Sequence, residues 1–83
     1  MTQKSQTPDE RFLVKLYLSA MKKGDPFAAI DRREVASAIG LKETAVKNII
    51  KHLAQANFIR KIDEISLKLT ERGRDFAIDA INT

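Results

Sequence analysis

The segment REVASAIGLKETAVKNIIKHL, Arg33 to Leu53, constrains the fold more than any other stretch of this chain. It carries two apolar stripes of helical spacing on either side of a single glycine. Val35, Ala36 and Ile39 form the inner face of a short helix over 31–39, which Gly40 ends. Val46, Ile49, Ile50 and Leu53 cluster on one side of a second helix, over 42–56. Asp31-Arg32-Arg33-Glu34 reads as a capping box that opens the first of these helices. Asn57 suits the left-handed position beyond a helix end, which glycine usually takes.

The flanks are as readable. Thr7-Pro8-Asp9-Glu10 combines an N-cap, a proline at the first helical position and a glutamate that can reach back to the cap. The spacing predicts a helix over 7–23 that stops at Gly24, with residues 1–6 a flexible tail. Lys15, Ser19 and Lys22 fall on one narrow stripe of it. Phe12, Leu13, Val14, Leu16, Tyr17, Leu18, Ala20 and Met21 fill the remaining circumference. A helix so broadly apolar is buried on more than one side, or shared with a second subunit. DPFAAI is a linker with room for a brief strand. FIRKIDEISLKL, residues 58–69, alternates as a β-hairpin with Asp63-Glu64 at its turn, through a two- or three-residue loop. Thr70 caps a last helix over 70–81, with Phe76, Ala77, Ala80 and Ile81 on one side.

At about 100° per residue, Thr44, Asn48, Lys51 and Gln55 lie opposite the core stripe of the 42–56 helix. Lys47 and His52 flank them, and Glu43 stands to one side. This face offers hydroxyl, amide and ammonium groups, which bond base edges and phosphates in a major groove. Asn48 or Gln55 could pair with adenine, and Lys47 or Lys51 with guanine or phosphate. The same composition also fits an ordinary solvated helix face.

Fifteen Lys and Arg against eleven Asp and Glu leave a net charge of +4 on 83 residues, compatible with a polyanionic partner. The length suits one domain with a single modest core. Without cysteine, disulfides, thiolate zinc sites and cysteine nucleophiles are excluded. His52 is the lone histidine, the three glycines are scattered, and Ser19, Ser37 and Ser66 have no base nearby in any motif. We therefore expect no enzyme activity, no metal and no cofactor. Lacking an apolar leader or a run long enough to span a bilayer, the chain reads as cytoplasmic, with no membrane partner.

REVASAIGLKETAVKNIIKHLAQANFI resembles the helix-turn-helix of the MarR, PadR and ArsR groups of winged-helix regulators. Ala36 matches the small residue where the two helices approach, Gly40 the turn glycine, and Val46 the buried anchor. LKLTERGRDF resembles the exit from the wing, through Leu69, Thr70 and Gly73. The resemblance covers residues 30–78 and implies a mainly α winged helix-turn-helix: a three-helix core, a short wing and a C-terminal helix in one domain. It further implies that Thr44, Lys47, Asn48 and Lys51 bind DNA in the groove, with Lys42 expected as a DNA-binding cation near it. Arg32 and Arg33 would lie near the backbone, and Arg60, Lys61 and Lys68 would be contributed by the wing. Lys42 stands where a Ser or Thr cap is common, at a cost on the order of 1 kcal/mol of helix stability. The acidic tip Asp63-Glu64 is unsuited to a minor groove, so the wing should be structural, its basic flanks at most touching phosphate.

Two functions follow as expectations. One is sequence-specific binding of double-stranded DNA by a transcriptional regulator, as a homodimer through the first and last helices. The other is a winged-helix module that binds protein within a larger complex.

Overall fold

Four helices and three short strands follow in the order α1 (Pro8–Lys22), β1 (Ile30–Asp31), α2 (Arg32–Ile39), α3 (Glu43–Gln55), β2 (Ile59–Lys61), β3 (Ser66–Leu69) and α4 (Glu71–Ile81). This is a computed structural model, which describes residues 7–82. The tail expected over residues 1–6 lies outside the described residues.

The strands make one antiparallel sheet in the order β1-β3-β2. Ile30 pairs with Leu67, and Ile59 with Leu69. All four are buried. Side chains alternate across a strand, so one sheet face closes the core while Arg60 and Lys68 point to the other. The linker strand thus joins the hairpin as its third member. The hairpin loop has three residues, Asp63–Ile65: the Ile62 N–H still donates to Ser66 O at 2.9 Å. The Asp63 carboxylate accepts from the backbone N–H groups of Ile65 (2.9 Å) and Ser66 (2.7 Å). Asp63 thereby bonds the turn shut where an Asp-Glu pair has no turn preference of its own.

α1 packs against the sheet and each of the other helices. Phe12, Leu13 and Leu16 are buried from α1, Val35 from α2, and Val46, Ile49, Ile50 and Leu53 from α3. Two expectations need correction. Ser19, read as part of a polar stripe, is buried. It borders the Phe12-Leu16-Ala20 arc, and its small side chain fits there. Leu18 and Met21, on the opposite arc, are exposed instead. In α4 the inner face is Gly73 and Ala77, one turn apart, whereas Phe76 and Ile81 are exposed. Small residues let α4 lie close to its neighbours; the larger ones face out.

The helix ends follow the local code. Gly40 takes φ +69°, and Leu41 N–H donates back to Ala36 O at 3.0 Å. Asn57 takes φ +63°, with Asn57 N–H bonded to Ala54 O and Phe58 N–H to Leu53 O. Both are Schellman ends, which satisfy the last carbonyls of a helix. At the start of α2 the capping box gives way to a different cap. The Asp31 carboxylate accepts from Arg33 N–H at 2.8 Å and also binds the Arg33 guanidinium, so Glu34 has no part in it. No helix of the described residues is long and apolar enough to cross a membrane.

Candidate nucleic-acid interface

Burial of Val46, Ile49, Ile50 and Leu53 turns the opposite side of α3 outward. Thr44, Lys47, Asn48 and Lys51 are exposed, as are Lys42 and Gln55 at its ends. No other part of the described chain covers them. Lys42 occupies the N-cap position without a side-chain hydrogen bond. The first N–H groups of α3 therefore point outward beside an ammonium, an arrangement that favours an approaching anion.

A groove runs between α3 and the base of the hairpin. Arg32 from the start of α2, Lys47 and Lys51 from α3 and Lys61 from β2 line it, over Ile50 and beside Gln55. Among the described residues no carboxylate lines it. Lys47 and Lys51 meet because they are one turn apart. Arg32 is brought in by the backbone: its N–H donates to Ile65 O at 2.8 Å, joining the start of α2 to the wing. Lys61 arrives through its pairing with Leu67 on the inward row of β3.

Glu43 stands one turn before Lys47 on the same side of α3 and lines the adjoining crevice toward α2, with Arg32, Arg33, Ala36, Ser37 and Val46. Glu43 is not among the residues that line the groove, and it borders the groove at Arg32. Arg33 is engaged locally, its guanidinium 2.8 Å from the Asp31 carboxylate. That hydrogen bond, together with the one from Arg33 N–H, holds the Asp31 carboxyl below the ordinary carboxylate value and raises Arg33 above its own. Arg33 therefore brings no surplus charge, whereas Arg32 does.

The three wing cations do not act together. Lys61 faces the α3 groove, but Arg60 and Lys68 stand opposite each other on the outer sheet face, across the β2–β3 pairing. There they share an open cleft with Arg74 of α4. Sequence reasoning missed Arg74, because α4 carries no pattern that announces where its basic side lies against the sheet. At the tip, Ile62 and Ile65 are exposed beside Asp63 and Glu64. Hydrogen bonds from the N–H groups of Ile65 and Ser66 hold the Asp63 carboxyl below its usual value, fixing a negative charge there. Among the described residues, no cluster of three His, Cys, Asp or Glu could hold a metal ion.

No protein-family model and no curated protein sequence matches the chain. Solved structures do. A MarR family protein of Mycobacterium tuberculosis superposes with a TM-score of 0.68 at 18% identity, over 93% of this chain and 53% of its own. This chain thus spans about half the length of that protein. The F-93 protein of SSV1 superposes with a TM-score of 0.61 at 22% identity, over 98% of this chain and 90% of its own. With four helices, a three-stranded antiparallel sheet and these neighbours, the chain has a winged helix-turn-helix fold.

Proposed function

We propose that the chain binds double-stranded DNA through α3 and acts as a transcriptional regulator. One observation carries the reading: four cations from three elements converge on a groove without carboxylates, beside an uncovered stripe of Thr44, Asn48 and Lys51. In this reading α3 enters the major groove. Thr44 and Asn48 meet base edges, Lys47 and Lys51 meet guanine or phosphate, and Arg32, Lys42 and Lys61 hold the backbone. The winged helix-turn-helix fold, which a MarR family protein shares, supports the reading of a cytoplasmic regulator without catalytic activity.

A single module of this size makes few base contacts, so a homodimer on a two-fold site is the natural route to affinity. The exposed Leu18 and Met21 on α1, with Phe76 and Ile81 on α4, supply apolar surface for it. These helices already pack on each other within one chain, and the dimer would use the arcs they leave uncovered.

The test is selection from random duplex DNA, followed by salt titration on the selected site. Log affinity should fall with log salt by about 0.9 per phosphate neutralised. Lys47→Ala with Lys51→Ala should weaken binding and flatten that slope without lowering the folding midpoint. Two inverted half-sites in the selected DNA would mark the dimer. Equal retention of wild type and double variant at low salt would overturn the reading. The exposed Ile62 and Ile65 at an acidic tip favour a second reading, a protein-binding module, which predicts a co-purifying protein indifferent to nuclease.

A further inference from the structure

Glu43 is the first residue of α3, directly after the uncapped Lys42. It stands among cations: Lys47 follows one turn on along the same side, and Arg32 and Arg33 line the same crevice. Yet among the described residues its carboxylate takes part in no hydrogen bond or ion pair. Arg33 is held by Asp31 instead. The Glu43 side chain is exposed, so two acceptor oxygens stand open at the N-terminal end of α3. That is the end from which a helix lying in a major groove reaches base edges. The ammonium groups of Lys42, Lys47 and Lys51 only donate, and Thr44 and Asn48 can both donate and accept. Glu43 differs from all five in that it only accepts.

We propose that Glu43 sets base specificity by accepting from the N4 amino group of a cytosine in the major groove. The inference rests on the duplex-binding reading of α3 and names a base that it reads. A carboxylate is repelled by phosphate and by the acceptor atoms of guanine and thymine. The donors that a base edge offers it are cytosine N4 and adenine N6. Adenine presents the N7 acceptor beside its N6, whereas the exposed edge of cytosine carries no acceptor, so cytosine is favoured. Lys47, one turn on, offers the opposite group, and the guanine paired with that cytosine presents O6 and N7 to it. Carboxylate and ammonium, side by side and not joined to each other, thus match the donor and the acceptors of a C·G pair. Against every other edge the carboxylate costs affinity, so its effect is discrimination and not tighter binding.

The experiment selects bound sites from random duplex DNA with four full-length proteins. They are wild type, Glu43→Gln, Glu43→Ala and a control, Glu71→Gln, which removes a carboxylate from the first position of α4. Wild type and control should both select cytosine at one position of the site. Exchanging that cytosine for guanine should weaken wild type roughly fivefold or more, the low end for a base-edge contact. Glu43→Gln should move the preference to adenine, whose N6 and N7 an amide meets with an acceptor and a donor. Glu43→Ala should bind all four bases there alike, and should hold unselected duplex more tightly than wild type does. A carboxylate that only supports the helix start would lower the unfolding midpoint when removed and leave the base preference in place. An unchanged preference in both Glu43 variants, or no cytosine preference in a wild type that binds duplex, would overturn this inference alone. If wild type itself binds no duplex, the reading of α3 fails first and this one with it.

Discussion

Gly73 sets the clearest quantitative test of the packing. A Cβ built on it would stand 1.9 Å from the Phe58 carbonyl oxygen, 2.9 Å from that carbonyl's carbon and 3.1 Å from Leu69 Cδ2. The obstacle is backbone and cannot swing aside. The same carbonyl accepts the Thr70 N–H at 3.1 Å, and one residue earlier Asn57 O accepts the Thr70 hydroxyl at 2.6 Å. Thr70 also caps α4 by accepting from Gly73 N–H at 3.1 Å. The end of α3 and the start of α4 are thus clasped through a gap that only a glycine leaves open. In Gly73→Ala the carbonyl must retreat by more than 1 Å to escape the overlap. That retreat breaks one or both bonds of the clasp, at about 0.5–1.5 kcal/mol each, and overpacking adds about 1–3 kcal/mol. Alanine returns about 1 kcal/mol as the better helix former. The net expectation is a loss of about 3 kcal/mol. At roughly 4–8 °C per kcal/mol for a domain of this size, the melting temperature should fall by about 12–24 °C.

Chemical denaturation followed by circular dichroism, with the slope on denaturant unchanged, measures this loss directly. Gly40→Ala is the matched control. Gly40 has φ +69° but open space around its Cβ position, so only the left-handed conformation is penalised, by about 1–2 kcal/mol. Gly73→Ala should therefore be the more damaging change, although it sits in a helix and Gly40 does not. A Gly73→Ala protein as stable as wild type would show that Phe58 O does not lie against α4, and the clasp would have to be discarded.

Two further substitutions probe the ends of the site. Lys42→Ser supplies the cap that α3 lacks and should raise stability by about 1 kcal/mol while flattening the salt dependence of duplex binding by about 0.9; an unchanged denaturation midpoint would argue that the start of α3 is already satisfied. The carboxyls of Asp31 and Asp63 are both held below their ordinary value, by the Arg33 guanidinium and by the Ile65 and Ser66 N–H groups respectively. A carboxylate lowered on folding contributes stability above its unfolded pKa and loses it as pH falls through the folded one, so the loss should come below about pH 4. Asp63→Asn keeps a carbonyl acceptor in the turn but removes its titration, and should narrow the difference in urea midpoint between pH 7 and pH 3. An equal difference in both proteins would remove Asp63 from the acid response.

What could be read from the residues alone was what local geometry decides. Thr7, Gly40 and Asn57 act within a few positions of themselves, as Thr70 does in capping α4, and each lies where capping chemistry puts it. The outward stripe of α3 needed only its helical period and the position of its core. The wing's cations needed more. Lys61 and Arg60 are neighbours in sequence, and a strand sends neighbours to opposite faces, so their partners depend on a register that Asp63 fixes from its side chain. Once Ile59 is paired with Leu69, Arg60 and Lys68 must stand together outside, and Lys61 must join α3. Arg32 shows the same dependence at longer range: a hydrogen bond to Ile65 carries it to the groove, whereas Arg33 is turned to its own cap by Asp31. Adjacent arginines, equal in composition and spacing, thus take different roles. The charge available to a polyanion beside α3 is decided by which cations the backbone leaves without a local carboxylate, and the wing divides its own cations between the two sides of one short hairpin.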